Sequence, residues 1–309
     1  MMNQIPLIFD CDTGVDDALA IMLLNKLPQF KLLALTTVAG NVELEKTTNN
    51  TLRVLELIDA DVPVYRGAAK PIFRDHVRAV YVHGENGLGG IELPQSKQAV
   101  SGVNAWDTIF QEAVKWQGEL EIIAVGPLTN LGLAFLKYKQ LPELIKRIVI
   151  MGGSASLGNI TPAAEFNIYV DPEAADIVFC SGVPVTMCGL DMTMKAYLTA
   201  EEMAQVGALG SKPAMFFQDV VQGALNFYHS LGLPGMSLHD PAAVLYADDP
   251  SIFETHPVGV RVETKGPLSI GRTVTDLYSD AQWENNAFIV TDIDRKKFFK
   301  RVLDLMKQY

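Results

Sequence analysis

Short apolar runs alternate with longer helical patterns along much of the chain. Ile5 to Phe9 is one such run, and a turn containing Gly14 separates it from a helical pattern that extends from about Asp17 to Leu27. Short apolar strands that alternate with helices are typical of βαβ units, in which helices bury both faces of a parallel sheet. The pattern therefore predicts an α/β fold with an open, mostly parallel central sheet and helices on both faces (Rossmann-like).

The same alternation predicts further elements. Strands are predicted at residues 32–38, 121–125, 148–151 and 184–189, and helices at residues 43–58 and from the turn at 126–127 to residue 135. Two helix starts have capping residues, namely Asp171 followed by Pro172, and Thr199 with Glu202 three positions later. Because no repeat, linker or change in composition divides the 309 residues, a single domain over residues 1–309 is predicted.

The composition limits the partners that the chain can have. A formal net charge of −11 argues against nucleic acid, whose phosphates need clustered Lys and Arg, and it is compatible with a small neutral ligand or a divalent cation. The three cysteines form neither a CxxC pair nor a zinc spacing, which is typical of reduced thiols. We find no signal-peptide pattern and no apolar run of the roughly 18 residues that a membrane span needs. We therefore expect a soluble, cytoplasmic protein.

Four aspartates, Asp10, Asp12, Asp16 and Asp17, stand within eight positions at the end of the first predicted strand. Four carboxylates repel one another unless positive charge lies among them. A solvated loop with one capping aspartate accounts for one or two of them only. Oxygen ligands around a tight glycine turn suit Ca²⁺ or Mg²⁺, and open α/β sheets bind ligands at the carboxyl ends of their strands. The cluster therefore predicts a divalent metal site.

Three other motifs share part of this pattern and fit it less well. An EF-hand loop needs Gly at its sixth position, whereas Gly14 is fifth when counted from Asp10. A phosphotransferase of the haloacid-dehalogenase type would have a hydroxyl residue where Gly14 stands, and no P-loop Gly-Lys-Ser/Thr occurs. Two alternative functions stay open: a Mg²⁺-dependent phosphatase with Asp10 as its nucleophile, and a non-catalytic ribose- or nucleoside-binding protein.

The acidic run, DxDxGxDDA, resembles the N-terminal motif of the nucleoside hydrolase family, in which this cluster holds one Ca²⁺. Segments that resemble the family follow in order: TTVAGN at 36–41, GPLTN at 126–130, MGGS through PEAA at 151–175, LHDP at 238–241 and GRTVTD at 271–276. One departure is Thr13, where the family often has Pro, which changes the stiffness of the turn and removes no ligand.

The resemblance implies a Ca²⁺-dependent enzyme that hydrolyses the N-glycosidic bond of purine or pyrimidine ribonucleosides to ribose and free base, for nucleoside salvage or catabolism. It also implies a homodimer or homotetramer. By the same resemblance, Asp12, Asp17, Asp240 and the backbone carbonyl of Thr129 bind Ca²⁺, and Asp12 takes the proton of the attacking water. The implied ribose ligands are Asp16, Asn41, Asn159, Glu165 and Asn167. Asp10, nearest the buried strand, is interpreted as a support for the ligands.

His239 directly precedes Asp240 and is the candidate that protonates or hydrogen-bonds the departing base. His83 opens the glycine-rich segment HGENGLGG, which is typical either of a mobile loop near a site or of an ordinary flexible loop. Aromatic residues at helical spacing are more often core than site residues. Three residues on a predicted helix are nevertheless base-pocket candidates together with His83, namely Phe227, Tyr228 and His229.

Overall fold

The first strand, β1 (Ile5–Cys11), lies inside a central sheet because its residues are apolar on both faces. Leu7 and Phe9 belong to the hydrophobic core on one side of the sheet, and Ile8 belongs to the core on the other side. β1 pairs in parallel with β2 (Phe30–Thr37) and with β4 (Leu120–Ala124). The computed structural model describes residues 4–278 and 280–309, so that residues 1–3 and Ser279 of the predicted domain lie outside the described residues.

Within the described ranges, nine strands form the sheet. The strands not yet named are β3 (Val64–Arg66), β5 (Ile145–Met151), β6 (Val185–Cys188), β9 (Phe253–Val262), β10 (Thr273–Asp276) and β11 (Ala287–Ile293), while β7 (Tyr197–Leu198) and β8 (Met236–Ser237) form a separate antiparallel pair. The order is β10-β9-β11-β6-β5-β4-β1-β2-β3. The parallel part of the sheet contains, in spatial order, β3, β2, β1, β4, β5, β6 and β11. At the other edge, β9 is antiparallel to β11, and β10 is antiparallel to β9. The predicted mostly parallel sheet is thus confirmed.

Helices cover both faces of this sheet. They are α1 (Val15–Leu24), α2 (Leu44–Leu57), α3 (Val80–His83), α4 (Ala105–Trp116), α5 (Thr129–Lys137), α6 (Phe166–Val170), α7 (Pro172–Phe179), α8 (Leu190–Thr193), α9 (Ala200–Gly207), α10 (Lys212–Ser230), α11 (His239–Asp248) and α12 (Arg295–Met306). Residues of α1, α2 and α9 to α12 build one hydrophobic core, and residues of α4, α5 and α7 build the other. The predicted covering of both faces is confirmed.

The caps decide where several helices begin. α1 begins at Val15, two residues before the predicted start, because the Asp17 carboxylate accepts the backbone N–H of Gly14 at 2.8 Å and closes the first turn. The predicted caps at Asp171 and Thr199 are both present. Within the residues that the structure describes, we find no helix that combines the length and the apolar character needed to cross a membrane.

Candidate active site

A cavity of about 330 Å³ lies where the carboxyl ends of β1, β2, β4 and β5 meet the beginning of α11. Ligands bind at this edge of open α/β sheets because the loops that leave the strands converge there. Most of the predicted site residues line the cavity: Asp16, Asn41, His83, Asn159, Glu165, Asn167, Phe227, Tyr228, His239 and Asp240.

The floor of the site is an acidic cluster. One carboxylate oxygen from each of Asp16, Asp17 and Asp240 lies within 4.8 Å of the other two, and all three residues are buried. Burial, followed by repulsion from neighbouring carboxylates, raises the pKa of Asp240 well above the usual range and that of Asp16 to about 7. In the described part of the chain, no Lys or Arg forms an ion pair with these aspartates. The cluster therefore lacks compensating positive charge from the protein.

Asp12 lies beside this cluster with one oxygen uncommitted. Its Oδ2 accepts the backbone N–H of Asn41 at 2.6 Å, while its Oδ1 is buried and has no hydrogen-bond partner among the described residues. Burial, followed by the charge of Asp17, raises the pKa of Asp12 well above its usual range. Buried polar atoms rarely lack a partner without a reason such as an ion. Several hard oxygen donors without a protein cation are the chemistry that Ca²⁺ or Mg²⁺ prefers, so these residues fit a divalent cation.

Asn41 holds the acidic turn in place. Its side-chain Nδ2 donates to Oδ2 of Asp17 at 3.1 Å and to the backbone carbonyl of Asp12 at 3.3 Å. Asp17 Oδ1 in turn accepts the backbone N–H of Asp12 at 3.1 Å. Asn41 thus connects the end of β2 to both aspartates while it also lines the cavity.

Asp10 lies behind the cluster and does not line the cavity. Its Oδ2 accepts hydrogen bonds from Thr36 Oγ1 at 2.5 Å and from Asn130 Nδ2 at 2.7 Å, and burial raises its pKa to about 7. Asn130 also donates to the backbone carbonyl of Thr37 at 3.1 Å. Asp10 therefore joins β1, β2 and α5, while its role as a support for the ligands stays a prediction.

Thr129, the candidate carbonyl ligand, is the buried first residue of α5. Its hydroxyl donates to Oδ2 of Asp171 at 2.7 Å, and that carboxylate also caps α7. The structure thus fixes Thr129 at a helix start, while its role as a ligand stays a prediction.

Three further polar residues of the cavity wall form hydrogen bonds with backbone groups. Glu165 caps α6 and also accepts the N–H of Gly153 at 2.9 Å, and burial raises its pKa to about 7. Asn167 Nδ2 donates to the carbonyls at residues 125 and 151, at 2.8 and 3.1 Å. Asn159 Oδ1 accepts the N–H of Phe166 at 2.9 Å. These bonds fix polar side chains in the cavity wall, while their role as ribose ligands stays a prediction.

Two histidines also line the cavity, the buried His83 and the half-buried His239. Nδ1 of His239 lies 2.8 Å from Oγ1 of Thr193, and burial lowers the pKa of His239 to about 4. Nδ1 of His83 accepts the backbone N–H of Val15 at 3.1 Å, which places the ring proton on Nε2. Burial, followed by the charge of His239, lowers the pKa of His83 to about 3. Both rings are therefore neutral near pH 7.

Aromatic side chains complete the cavity. The ring centroids of Tyr81 and Phe227 lie 6.2 Å apart, and Phe227 meets Tyr228 edge to face at 5.5 Å. His229, predicted as a base-pocket candidate, is exposed on α10 and does not line the cavity, since each helix position turns about 100° from its neighbour. Tyr81 and Leu231 also line the cavity, and no local pattern in the sequence indicates a role for either residue.

The glycine-rich segment after His83 is a packed loop. Gly84, Gly87, Gly89 and Gly90 all have φ between 64° and 82°, which glycine adopts without strain. Leu88, between them, is completely buried in the hydrophobic core. The glycines of this loop are therefore explained by its turn geometry.

Comparisons with known proteins agree with this arrangement. Residues 7–300 match the family model described as inosine-uridine preferring nucleoside hydrolase. The chain is 40% identical over 307 residues to the pyrimidine-specific ribonucleoside hydrolase RihA of Shewanella sp. (strain ANA-3), covering 98% of this chain and 96% of that protein. It is also 40% identical to RihA of Escherichia coli O81 (strain ED1a), covering 99% of each. The purine-preferring ribonucleoside hydrolase from Gardnerella vaginalis superposes with a TM-score of 0.92 at 34% identity, covering 98% of this chain and all of that one.

Proposed function

Because the chain belongs to the nucleoside hydrolase family and is a ribonucleoside N-glycosidase, we propose that it is a calcium-dependent enzyme that prefers pyrimidine ribonucleosides and also accepts purine ribonucleosides. The observation that carries the proposal is the uncompensated acidic cluster on the floor of a cavity with polar, aromatic and histidine walls. The preference for pyrimidines rests on the names of the RihA relatives, which are more similar in sequence than the purine-preferring neighbour. A cytoplasmic location and a homodimer or homotetramer complete the proposal.

The cation would be held by Asp12, Asp17 and Asp240, with the carbonyl of Thr129 as the further ligand. When bound, Ca²⁺ would supply the missing positive charge and lower the pKa of a water molecule. Oxygen donors of this kind bind either Ca²⁺ or Mg²⁺, and the preference for Ca²⁺ follows the resemblance of the acidic motif.

Different residues of the chain then carry out different parts of the hydrolysis. Asp12 accepts a proton from the attacking water through its uncommitted Oδ1, and the oxygen of that water bonds to C1′ of the ribose. Asp16, Asn159, Glu165 and Asn167 bind the ribose hydroxyls. The bond from C1′ to the base nitrogen breaks through an oxocarbenium-like state, which nearby carboxylates stabilise. The electron pair of that bond leaves with the base, which then takes a proton from solvent.

His239 assists the departing base. Because burial lowers its pKa to about 4, His239 is neutral near pH 7 and acts as a hydrogen-bond donor to the base as negative charge develops there. The base has an aromatic surface to stack on, formed by the side chains of Tyr81, Phe227 and Tyr228.

We expect exhaustive chelation to abolish base release and to lower the melting temperature, because the carboxylates would then repel one another without compensation. A ligand that binds only the folded state at a hundredfold excess over its Kd stabilises that state by about 2.7 kcal/mol. The melting temperature, determined by calorimetry, and base release are measured on chelated protein and on the same sample after Ca²⁺ is restored. Addition of Mg²⁺ in place of Ca²⁺ is the matched control. Full turnover by demonstrably metal-free protein would contradict the proposal.

His239→Ala should lower kcat on uridine or inosine while largely sparing p-nitrophenyl riboside, because the nitrophenolate departs without assistance. Removal of one hydrogen-bond donor aimed at developing charge costs roughly 10²–10³-fold in kcat. The measurement is kcat for wild type and variant on one natural and one activated substrate. Equal losses on both substrates would mean that His239 acts through its neighbour Asp240 rather than on the base.

The proposed preference itself is tested by kcat/KM for uridine, cytidine and inosine. We expect the two pyrimidine nucleosides to be the better substrates. Higher efficiency on inosine would overturn the pyrimidine preference and leave the hydrolase assignment intact.

A further inference from the structure

One buried amide connects two loops of the site that are distant in sequence. Asn50 lies on α2 and is 3% exposed. Its Nδ2 donates to the backbone carbonyl of Thr13 at 3.1 Å and to that of Asn86 at 2.9 Å. A primary amide has two N–H groups, so each carbonyl receives one.

The two carbonyls belong to different segments of the site. Thr13 follows Asp12 in the acidic turn, and Asn86 lies three residues after His83 in the glycine-rich loop. The loop also touches the beginning of α1 directly, where Nδ1 of His83 accepts the N–H of Val15. Asn50 therefore adds a second connection between the acidic turn and the loop that carries His83.

The loop packs closely against this amide. A Cβ on Gly87 would lie 2.7 Å from Nδ2 of Asn50, so only glycine allows the approach. Oδ1 of Asn86 accepts the N–H groups of Leu88 and Gly90, both at 3.0 Å, and these bonds fix the turn whose carbonyl faces Asn50. The spacing between loop and turn is thus set by a short, buried contact.

We propose that Asn50 is a positioning residue that holds His83 at its place in the cavity wall by fixing the glycine-rich loop to the acidic turn. The inference rests on the proposed function. An amide is needed because aspartate and leucine have no N–H to donate, and the buried carbonyl of Thr13 and the half-buried carbonyl of Asn86 would then lose their partner. A displacement of a site group by about 1 Å can cost about 10²-fold in rate.

A double-mutant cycle tests whether Asn50 acts through His83. We expect Asn50→Ala to lower kcat/KM on uridine by about 10- to 100-fold in the wild-type background and to have little further effect when His83→Ala is already present. Asn49→Ala is the matched control, since Asn49 is the exposed neighbour on the same helix. Calcium affinity, measured by calorimetric titration, should change little, because Asp12 and Asp17 keep their own bonds to Asn41.

Additive losses in the cycle, an Asn50→Ala variant as active as wild type, or a large fall in calcium affinity would each overturn the inference. If Asn50→Ala does not fold, Asn50→Ser takes its place, because its hydroxyl keeps one donor, and a smaller coupling of the same sign is expected. Wild-type base release is measured in the same assay. An inactive wild type would contradict the proposed function, whereas an active wild type with an additive cycle would contradict only the role of Asn50.

Discussion

Asp12→Asn should lower kcat/KM by about 10²–10⁴-fold on every nucleoside and on p-nitrophenyl riboside alike, because activation of water is needed whatever group departs. The substitution keeps the shape of the side chain. The amide oxygen of Asn can still accept the N–H of Asn41, so its NH₂ group replaces Oδ1, the oxygen without a partner. That group can neither accept a proton nor bind a cation.

The measurement compares Asp12→Asn with Asp61→Asn, which removes the same charge from an exposed position. Asp61→Asn should behave as wild type in kcat/KM and in calcium affinity. An Asp12→Asn variant that stays active on p-nitrophenyl riboside would show that another group activates water. Asp12 would then not be the general base.

Nucleosides without the 2′-hydroxyl should be very poor substrates. Asp16, Asn159, Glu165 and Asn167 line the cavity, and backbone bonds hold the last three in place. A site built to hydrogen-bond a hydroxyl rejects an analogue without it by roughly 10⁴–10⁵-fold in favourable cases, because buried polar groups would be left without partners. We therefore expect kcat/KM for deoxyuridine to fall far below that for uridine.

The comparison is made with both a pyrimidine and a purine, uridine against deoxyuridine and inosine against deoxyinosine. Similar losses in the two pairs are expected because these residues are assigned to the ribose and not to the base. Equal efficiencies on ribo- and deoxyribonucleosides would mean that these residues have another role.

Local patterns explain what could be predicted from the sequence. β1 and the acidic turn after it are contiguous, so strand, turn and helix cap could be read together, and the caps at Asp171 and Thr199 depend only on near neighbours. The roles of the site residues came from family resemblance, and the structure brings most of these residues to one cavity.

Contacts between distant segments could not be predicted in this way. The antiparallel edge formed by β9 and β10 was not predicted, because part of β9 is exposed and its pattern lacks the continuous apolar run of a buried strand. The side chains of Asn50 and Asn130 each bridge residues more than 30 positions away, and an asparagine on a helix carries no local sign of such a role. His229 shows the same limit, because a single helix position decides between cavity and solvent.

Every role assigned to a residue of the site depends on hydrolysis of ribonucleosides with water. The most direct test is to incubate the calcium-loaded enzyme with uridine in phosphate-free buffer and to measure free uracil and reducing sugar. We predict one equivalent of ribose for each uracil released, no requirement for phosphate, and loss of both products on chelation. Three results would contradict this prediction: absence of uracil, dependence on added phosphate, and release of phosphate from p-nitrophenyl phosphate by a chain that leaves uridine intact. The last of these would point to Asp10 as a nucleophile.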